Sequence, residues 1–126
     1  MGTPCPCGTG ISYETCCGKF HRGEADAATA EQLMRSRFSA FAVGDAQYLL
    51  RTWDPSTAPT KLAFDPGVQY RSLQVLGTKR GGPFDQFGEV EFLATLLFDG
   101  HVSQQRERSF FKRVDRKWVY STGIVD

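Results

Sequence analysis

The sequence lacks several features that would place it in large classes of proteins. No apolar run approaches the roughly 20 residues of a membrane-spanning helix, so we expect no membrane association. No internal repeat or low-complexity tract occurs, and 126 residues suit one compact domain with a small appendage. The sequence also has no large excess of charge of either sign, because 15 basic residues nearly balance 14 acidic ones. The basic residues form no long stripe, so we do not expect nucleic-acid binding.

Cysteine is absent after residue 17, and the first 17 residues contain four: Cys5, Cys7, Cys16 and Cys17. Four thiolates about 2.3 Å from one zinc ion lie roughly 3.8 Å from one another, so the chain between them must turn sharply. Gly8 and Gly10 permit such a turn. The spacing therefore predicts a zinc knuckle with one structural Zn²⁺, a helical turn capped by Ser12, and Tyr13 and Phe20 as its cover.

Two disulfides and a catalytic thiol are the alternatives to zinc. Bridges within either cysteine pair would be strained, and crossed bridges would staple only a short end of the chain. Residues 1–10 contain no basic region followed by an apolar run, so we expect no signal peptide and a cytoplasmic location. Paired cysteines beside glycine turns are also poor evidence for a single nucleophile with a histidine base.

The remainder of the chain predicts helices followed by strands. A first helix should begin after Thr29, which forms a capping box with Gln32, and should end before Gly44. A second, short helix should end at Asp54, and a further helical piece is expected at residues 60–64. The predicted strands are Val68 to Lys79, Phe87 to Phe98, His101 to Val114 and Lys117 to Thr122. This order predicts an α+β fold with helices packed on a curved antiparallel sheet.

Asp99 followed by Gly100 is the strongest hairpin signal, because this pair suits a type I′ turn. A two-residue loop places Phe98 opposite His101, and counting back places Phe92 opposite Glu107. The face that contains Phe92 is the more apolar one and should meet the helices. The register therefore predicts that Glu107 points towards the core.

A carboxylate in that position needs a partner. Arg35 and Arg37 of the first helix are the candidates for an ion pair with Glu107, and such a pair would only stabilise the fold. The functional alternative is a pocket lined by Glu107, His101 and an arginine, with Glu107 as general acid or base. Trp53, at a helix end, should border the mouth of that pocket.

Residues 5–10, Tyr13, residues 16–18, Phe20 and His21 resemble the SEC-C motif, named after the zinc-binding tail of the bacterial preprotein translocase ATPase. The motif usually has serine where this sequence has Thr9. The resemblance implies that His21 is not a ligand. It implies the ligand set Cys5, Cys7, Cys16 and Cys17.

Residues 33–41 and 107–110 resemble the small bacterial YchJ-like proteins, and the similarity extends over the whole chain. Those proteins are similar in fold to the cone-shaped nuclear-transport-factor-like superfamily, a cystatin-like fold. That superfamily contains enzymes as well as binding proteins, so the fold leaves activity open. The resemblance implies a SEC-C zinc-binding motif over residues 1–23 and a nuclear-transport-factor-like α+β domain over residues 24–126.

These observations predict a small zinc-binding protein that acts as a non-catalytic interaction or ligand-binding module. Its expected partners are a protein or ribosomal surface at the knuckle and a small apolar ligand in the cone. The alternative is an enzyme that transfers a proton at Glu107 or His101. Four thiolates (−4) and one Zn²⁺ (+2) would change the net charge from +1 to −1, which further weakens the case for nucleic acid.

Overall fold

The computed structural model describes residues 3–125. Three helices precede a four-stranded antiparallel sheet of order β1-β2-β3-β4, so the predicted α+β class is confirmed. The helices are α1 (Cys17–His21), α2 (Ala30–Val43) and α3 (Ala46–Arg51). The strands are β1 (Val68–Arg80), β2 (Phe87–Phe98), β3 (His101–Val114) and β4 (Lys117–Val125). Within residues 3–125, no helix is long and apolar enough to cross a membrane.

The ends of α2 lie where the capping signals predict. The Thr29 hydroxyl accepts a hydrogen bond from the backbone N–H of Gln32 at 3.1 Å. The Gln32 side chain accepts from the N–H of Ala28 rather than from that of Thr29, so the box closes one residue early. Gly44 ends the helix with φ of 76°, and its N–H donates to the carbonyl of Ala40. Both helix ends are therefore satisfied by local sequence.

Helix α3 is capped by Asp45, whose carboxylate accepts from the N–H of Tyr48 at 3.0 Å. The helical piece predicted at residues 60–64 is wrong, because that segment has no helical hydrogen bonds. Leu62 and Phe64 lie outside any helix or strand and pack against the cluster around Phe20. Tertiary burial of these two side chains outweighs the weak local helix signal.

The β2-β3 hairpin has the predicted register. Asp99 and Gly100 both have positive φ, 47° and 84°, as a type I′ turn requires. Phe98 pairs with His101, and Phe92 pairs with Glu107. The face that carries Phe92 packs against α2, as predicted.

The sheet is bent by irregularities in its pairing. Register shifts interrupt β1 between Tyr70 and Ser72 and between Val75 and Gly77, and a third shift lies between Phe110 and Phe111 in the β3-β4 pair. Bulges of this kind bend a strand and increase its twist. The main core lies between the concave face and α2. Its buried members are Ala30, Leu33, Met34, Val90, Phe111 and Trp118.

The start of α2 is held against the sheet by a close approach of backbone. The N–H of Ala30 donates to the carbonyl of Gly81 at 2.9 Å. A Cβ at Gly88 would lie 2.5 Å from the Cα of Gly81 and 3.0 Å from the Cβ of Ala30. Only glycine at position 88 allows β2, Gly81 and the start of α2 to meet at this distance.

We predict that Gly88→Ala lowers the free energy of unfolding by about 1–3 kcal/mol, because the added methyl group must push backbone apart. Gly77→Ala is the matched control, since a Cβ at this strand glycine meets no atom within 4 Å. Urea unfolding followed by circular dichroism measures both variants. Equal midpoints for the two variants would contradict the prediction.

Candidate functional site

The four cysteine sulfurs form one compact cluster. All four Sγ atoms lie within 4.8 Å of one another, and all four residues are free thiols. The Sγ of Cys16 lies 3.6 Å from that of Cys7 and 4.0 Å from that of Cys17. These separations match the roughly 3.8 Å expected between thiolates around one tetrahedral zinc ion. The cluster can therefore hold one metal ion.

The local backbone brings the two cysteine pairs together. The N–H of Cys5 donates to the carbonyl of Ile11 at 2.9 Å, and Gly8 and Gly10 have φ of 88° and 81°. These bonds close a small loop that returns the chain to its start. The predicted cap at Ser12 is wrong, because helix α1 begins only after Cys16. Ser12 contributes a backbone carbonyl to that turn rather than its side chain.

Hydrogen bonding and burial shift the pKa values of three of the thiols in different directions. Hydrogen bonds from neighbouring groups, chiefly Cys17, lower the pKa of Cys7 to about 4. The same hydrogen bond raises the pKa of Cys17, and burial adds to this rise. Burial also raises the pKa of Cys16. Without a metal, these shifts favour a thiolate at Cys7 and protonated thiols at Cys16 and Cys17, and a bound cation would favour their ionisation.

His21 joins the knuckle to α2. Its Nε2 lies 2.8 Å from the carbonyl of Ser36 and must donate, so Nδ1 accepts from the Tyr13 hydroxyl at 2.6 Å. The ring also packs between Tyr13 and Tyr48, with centroid distances of 5.5 and 4.6 Å. Both ring nitrogens are occupied, so His21 cannot ligate a metal in this arrangement.

Further contacts fix the knuckle on the same helix. Tyr13 packs against the cysteines, as predicted, whereas Phe20 belongs to a different cluster with Tyr48. The Sγ of Cys5 lies 3.3 Å from the hydroxyl of Ser39, which is fully buried on α2. Arg51 of α3 donates to the carbonyl of Phe20 at 3.1 Å. The knuckle is thus packed onto α2 and α3 along much of its length.

Arg35, one of the two candidate partners of Glu107, lies outside the pocket. Arg35 donates to the carbonyl of Cys7 at 2.8 Å and pairs with Glu31 at 3.1 Å. Residues two apart on a helix do not face the same way, so Arg35 faces the knuckle while Arg37 faces the sheet. Arg35 is a knuckle contact rather than a pocket residue.

A cavity of about 200 Å³ lies between the concave face of the sheet and α2. Half of the residues that line it are aromatic. Of the predicted pocket residues, Glu107, Arg37 and Trp53 line it. His101 does not, because it begins β3 at the exposed hairpin tip, so its assignment to the pocket is wrong.

Arg37 is the most buried charged group in the cavity wall, with 6% of its surface exposed. Its Nη1 donates to the carbonyl of Leu49 at 2.7 Å and to the Thr52 hydroxyl at 2.8 Å. The guanidinium carbon lies 4.9 and 4.8 Å from the ring centres of Trp53 and Tyr120. Burial lowers the pKa of Arg37 to about 10, so it remains a cation at neutral pH.

Glu107 lies in the cavity wall without the predicted ion pair. The Ser109 hydroxyl donates to its Oε2 at 2.5 Å, and no arginine among residues 3–125 forms an ion pair with it. A Cβ at Gly123 would lie 2.6 Å from Oε2 and 2.9 Å from the Tyr120 hydroxyl. The carboxylate therefore occupies space that a glycine leaves open.

Sequence reasoning missed Ser109, Tyr120 and Gly123 as parts of this site. Alternation along β4 places Tyr120 on the same face as Trp118, which indicates only that both pack the sheet. Trp118 does so, with its ring N–H donated to the carbonyl of Ala28 at 3.0 Å. The pairing of Ser109 with Gly123 depends on the irregularity at residues 110–111, for which the sequence carries no clear signal.

Comparisons with known proteins agree with both parts of the molecule. The protein-family model described as "YchJ, middle NTF2-like domain" matches residues 29–123 of this chain, and the family model of the SEC-C motif matches residues 3–19. The solution structure of a SEC-C motif containing protein from Rhodopseudomonas palustris has a TM-score of 0.83 and 33% identity, covering 97% of this chain and 98% of that one. A SEC-C motif containing protein from Psychrobacter arcticus, at 22% identity and TM-score 0.76, covers 97% and 81% and shares the fold. The fold and the cysteine cluster define an NTF2-like protein with an N-terminal SEC-C motif.

Relatives narrow this class to one family. A UPF0225 protein from Corynebacterium glutamicum is 55% identical over 127 residues, covering 100% of both chains. A UPF0225 protein from Streptomyces coelicolor is 52% identical over 120 residues, covering 95% of this chain and 94% of its own. The chain belongs to the YchJ-like family, whose members here carry the name UPF0225. The expected boundary at residue 23 stays a prediction.

The ring of His21 acts as a clamp between the knuckle and α2 through its hydrogen bonds to Tyr13 and Ser36, and this leads to a prediction about pH. Burial lowers the pKa of His21 below its ordinary 6.5, so the unfolded chain takes up this proton more readily than the folded one. The stability contributed by the neutral ring is therefore complete above pH 6.5 and decreases as the pH falls below it. The difference in unfolding free energy between wild type and His21→Gln should shrink between pH 7.5 and 5.5.

Urea titrations of both proteins at several pH values test this, since any acid release of metal affects both alike. A difference that is the same at every pH would contradict the assignment of His21 as a neutral clamp.

Proposed function

We propose that this protein holds one structural Zn²⁺ on Cys5, Cys7, Cys16 and Cys17. The observation that carries the proposal is the mutual distance of the four Sγ atoms, all within 4.8 Å. Sulfur donors favour zinc over hard cations such as Mg²⁺. Four thiolates fill a tetrahedral site and leave no position for water, so the zinc would organise the chain and take no part in catalysis.

The proposed role of the metal is to order a segment that has little core of its own. Metal binding of roughly 10–16 kcal/mol can replace such a core in small zinc-binding units. The free thiols also support a cytoplasmic location, because a reducing compartment keeps cysteines available to zinc.

We further propose that the protein is a binding module with two surfaces. The knuckle would present its exposed face to a protein or ribosomal partner, and the cavity would take a small, largely apolar ligand. The contacts of Arg35, Ser36 and Ser39 with the knuckle support a fixed orientation of that face. The aromatic wall of the cavity supports ligand binding, as is usual for small-molecule sites.

An enzyme that transfers a proton at Glu107 is the second candidate. The supporting observation is that Glu107 lines the cavity without an ion pair to Arg37, and that only Oε2 of its carboxylate is hydrogen-bonded within residues 3–125. Turnover of a bound ligand that Glu107→Gln abolishes would favour this candidate. Intact binding without turnover in both proteins would favour the binding module.

Metal analysis tests the zinc proposal directly. The purified protein should contain one zinc ion per chain by mass spectrometry, and Cys17→Ser should lose most of it because three thiolates bind far more weakly than four. Glu14→Gln, which changes an exposed residue of the same loop, is the control and should retain its zinc. Four thiols that react with a thiol reagent in a zinc-free wild-type protein would overturn the proposal.

Affinity capture from a cell lysate tests the interaction surface. We expect partners captured by the wild type to be lost with the double variant Cys16→Ser, Cys17→Ser, because the knuckle surface would no longer be ordered. Unchanged capture would move the interaction to the NTF2-like part. Binding to RNA that weakens steeply with salt would instead indicate a nucleic-acid partner.

A further inference from the structure

The cavity contains a buried cation that the protein only partly satisfies. Arg37 uses Nη1 for both of its hydrogen bonds, and neither Nε nor Nη2 has a partner among residues 3–125. No carboxylate in that range forms an ion pair with it. Every fully buried side-chain nitrogen or oxygen in the same range has a partner, so the free guanidinium nitrogens must contact open space. The cavity that Arg37 lines provides that space.

A guanidinium in this state is a site for an anion. Its burial removes water, and a carboxylate opposite Nε and Nη2 could accept two parallel hydrogen bonds. The rings of Trp53 and Tyr120 lie at 82° to each other and both contact the guanidinium, and together with the two hydrogen bonds of Nη1 they restrict its rotation. The free edge is therefore fixed towards the cavity before any ligand arrives.

The size and wall of the cavity limit what can accompany that anion. A cavity of about 200 Å³ is somewhat larger than the roughly 150 Å³ that admits one benzene molecule. Most ligand sites for larger molecules exceed about 300 Å³. Phe38, Phe92 and Phe111 supply apolar wall on either side of the space. One aromatic ring with a short polar group fits this volume and this lining.

We propose that the cavity binds a single-ring aromatic carboxylate, with the carboxylate on the free edge of Arg37 and the ring among the phenylalanines. This inference rests on the proposed ligand-binding function and names the class of ligand. Glu107 adds a second preference, because Ser109 occupies its Oε2 while Oε1 has no partner in the described chain. A hydroxyl group on the ring, donated to Glu107, would satisfy that oxygen.

The test is an NMR titration of the zinc-loaded full chain with benzoate, the uncharged benzamide and the cationic benzylamine. Benzoate should shift the signals of cavity residues and bind at least about tenfold more tightly than benzamide, the gain from one charge-assisted hydrogen bond. Benzylamine should bind most weakly. Equal binding of benzoate and benzamide would overturn the carboxylate preference while leaving the ligand pocket of the proposed function intact. Failure of all three probes to shift cavity signals would overturn both.

Variants separate the contributions of the two charged groups. Arg37→Met should bring benzoate affinity down to that of benzamide, and Glu107→Gln should raise it, because a like charge has been removed. 4-Hydroxybenzoate should bind the wild type more tightly than benzoate does, and this advantage should shrink in Glu107→Gln. Unchanged benzoate affinity in both folded variants would contradict the proposal.

If Arg37→Met fails to fold, a variant that fills the cavity, compared with a matched control variant, still tests the proposal. Ala94→Leu adds bulk to the cavity wall and should abolish shifts from benzoate and benzamide alike. Thr95→Leu is the matched control, because the next residue of β2 points to the opposite face of the sheet. Benzoate binding by Ala94→Leu as tight as by Thr95→Leu would place the ligand outside the cavity and overturn the inference.

Discussion

The burial of α2 on two sides is the constraint on which the rest of this structure depends. One side of the helix carries Ser36 and Ser39, which meet His21 and Cys5 of the knuckle. The other side carries Met34, Arg37 and Phe38, which meet the concave face of the sheet. A helix with only a stripe of apolar residues would bury one face, whereas here small hydroxyl side chains allow close approach on the second. The metal-binding segment and the cavity therefore share one rigid element.

Local signals determine much of the architecture. The turn at Asp99 and Gly100 has one geometry that suits these residues, and a period of two then fixes every pair along β2 and β3. The caps at Thr29, Gly44 and Asp45 act in the same way on α2 and α3. The cysteine cluster was also predictable, because four thiols this close in sequence with glycines between them have few ways to satisfy one another. In each case the deciding interaction lies within a few residues of the chain.

The parts that sequence could not supply depend on contacts between distant elements. Arg35 and Arg37 are alike as residues, and only the position of the knuckle on α2 decides that one contacts the carbonyl of Cys7 while the other enters the cavity. His101 shares a sheet face with Glu107, but the face extends beyond the helix that covers it. The roles of Tyr120 and Gly123 depend on the pairing of β4 after an irregularity. The alternation of residues along a strand assigns each side chain to a face of the sheet. Which part of that face a helix covers, and how the next strand pairs after a bulge, depend on tertiary contacts.

Position 37 requires an arginine because its side chain makes several different contacts at once. One nitrogen closes the end of α3 through Leu49 and Thr52, and the flat guanidinium packs against both Trp53 and Tyr120. The backbone of Thr52 and Asp54 bonds to Tyr120, which fixes those two rings relative to each other. A lysine ammonium has neither a plane to stack nor a second edge to present, so it could not stabilise this corner and leave donors facing the cavity. The same side chain thus couples the stability of the helix end to the charge of the cavity.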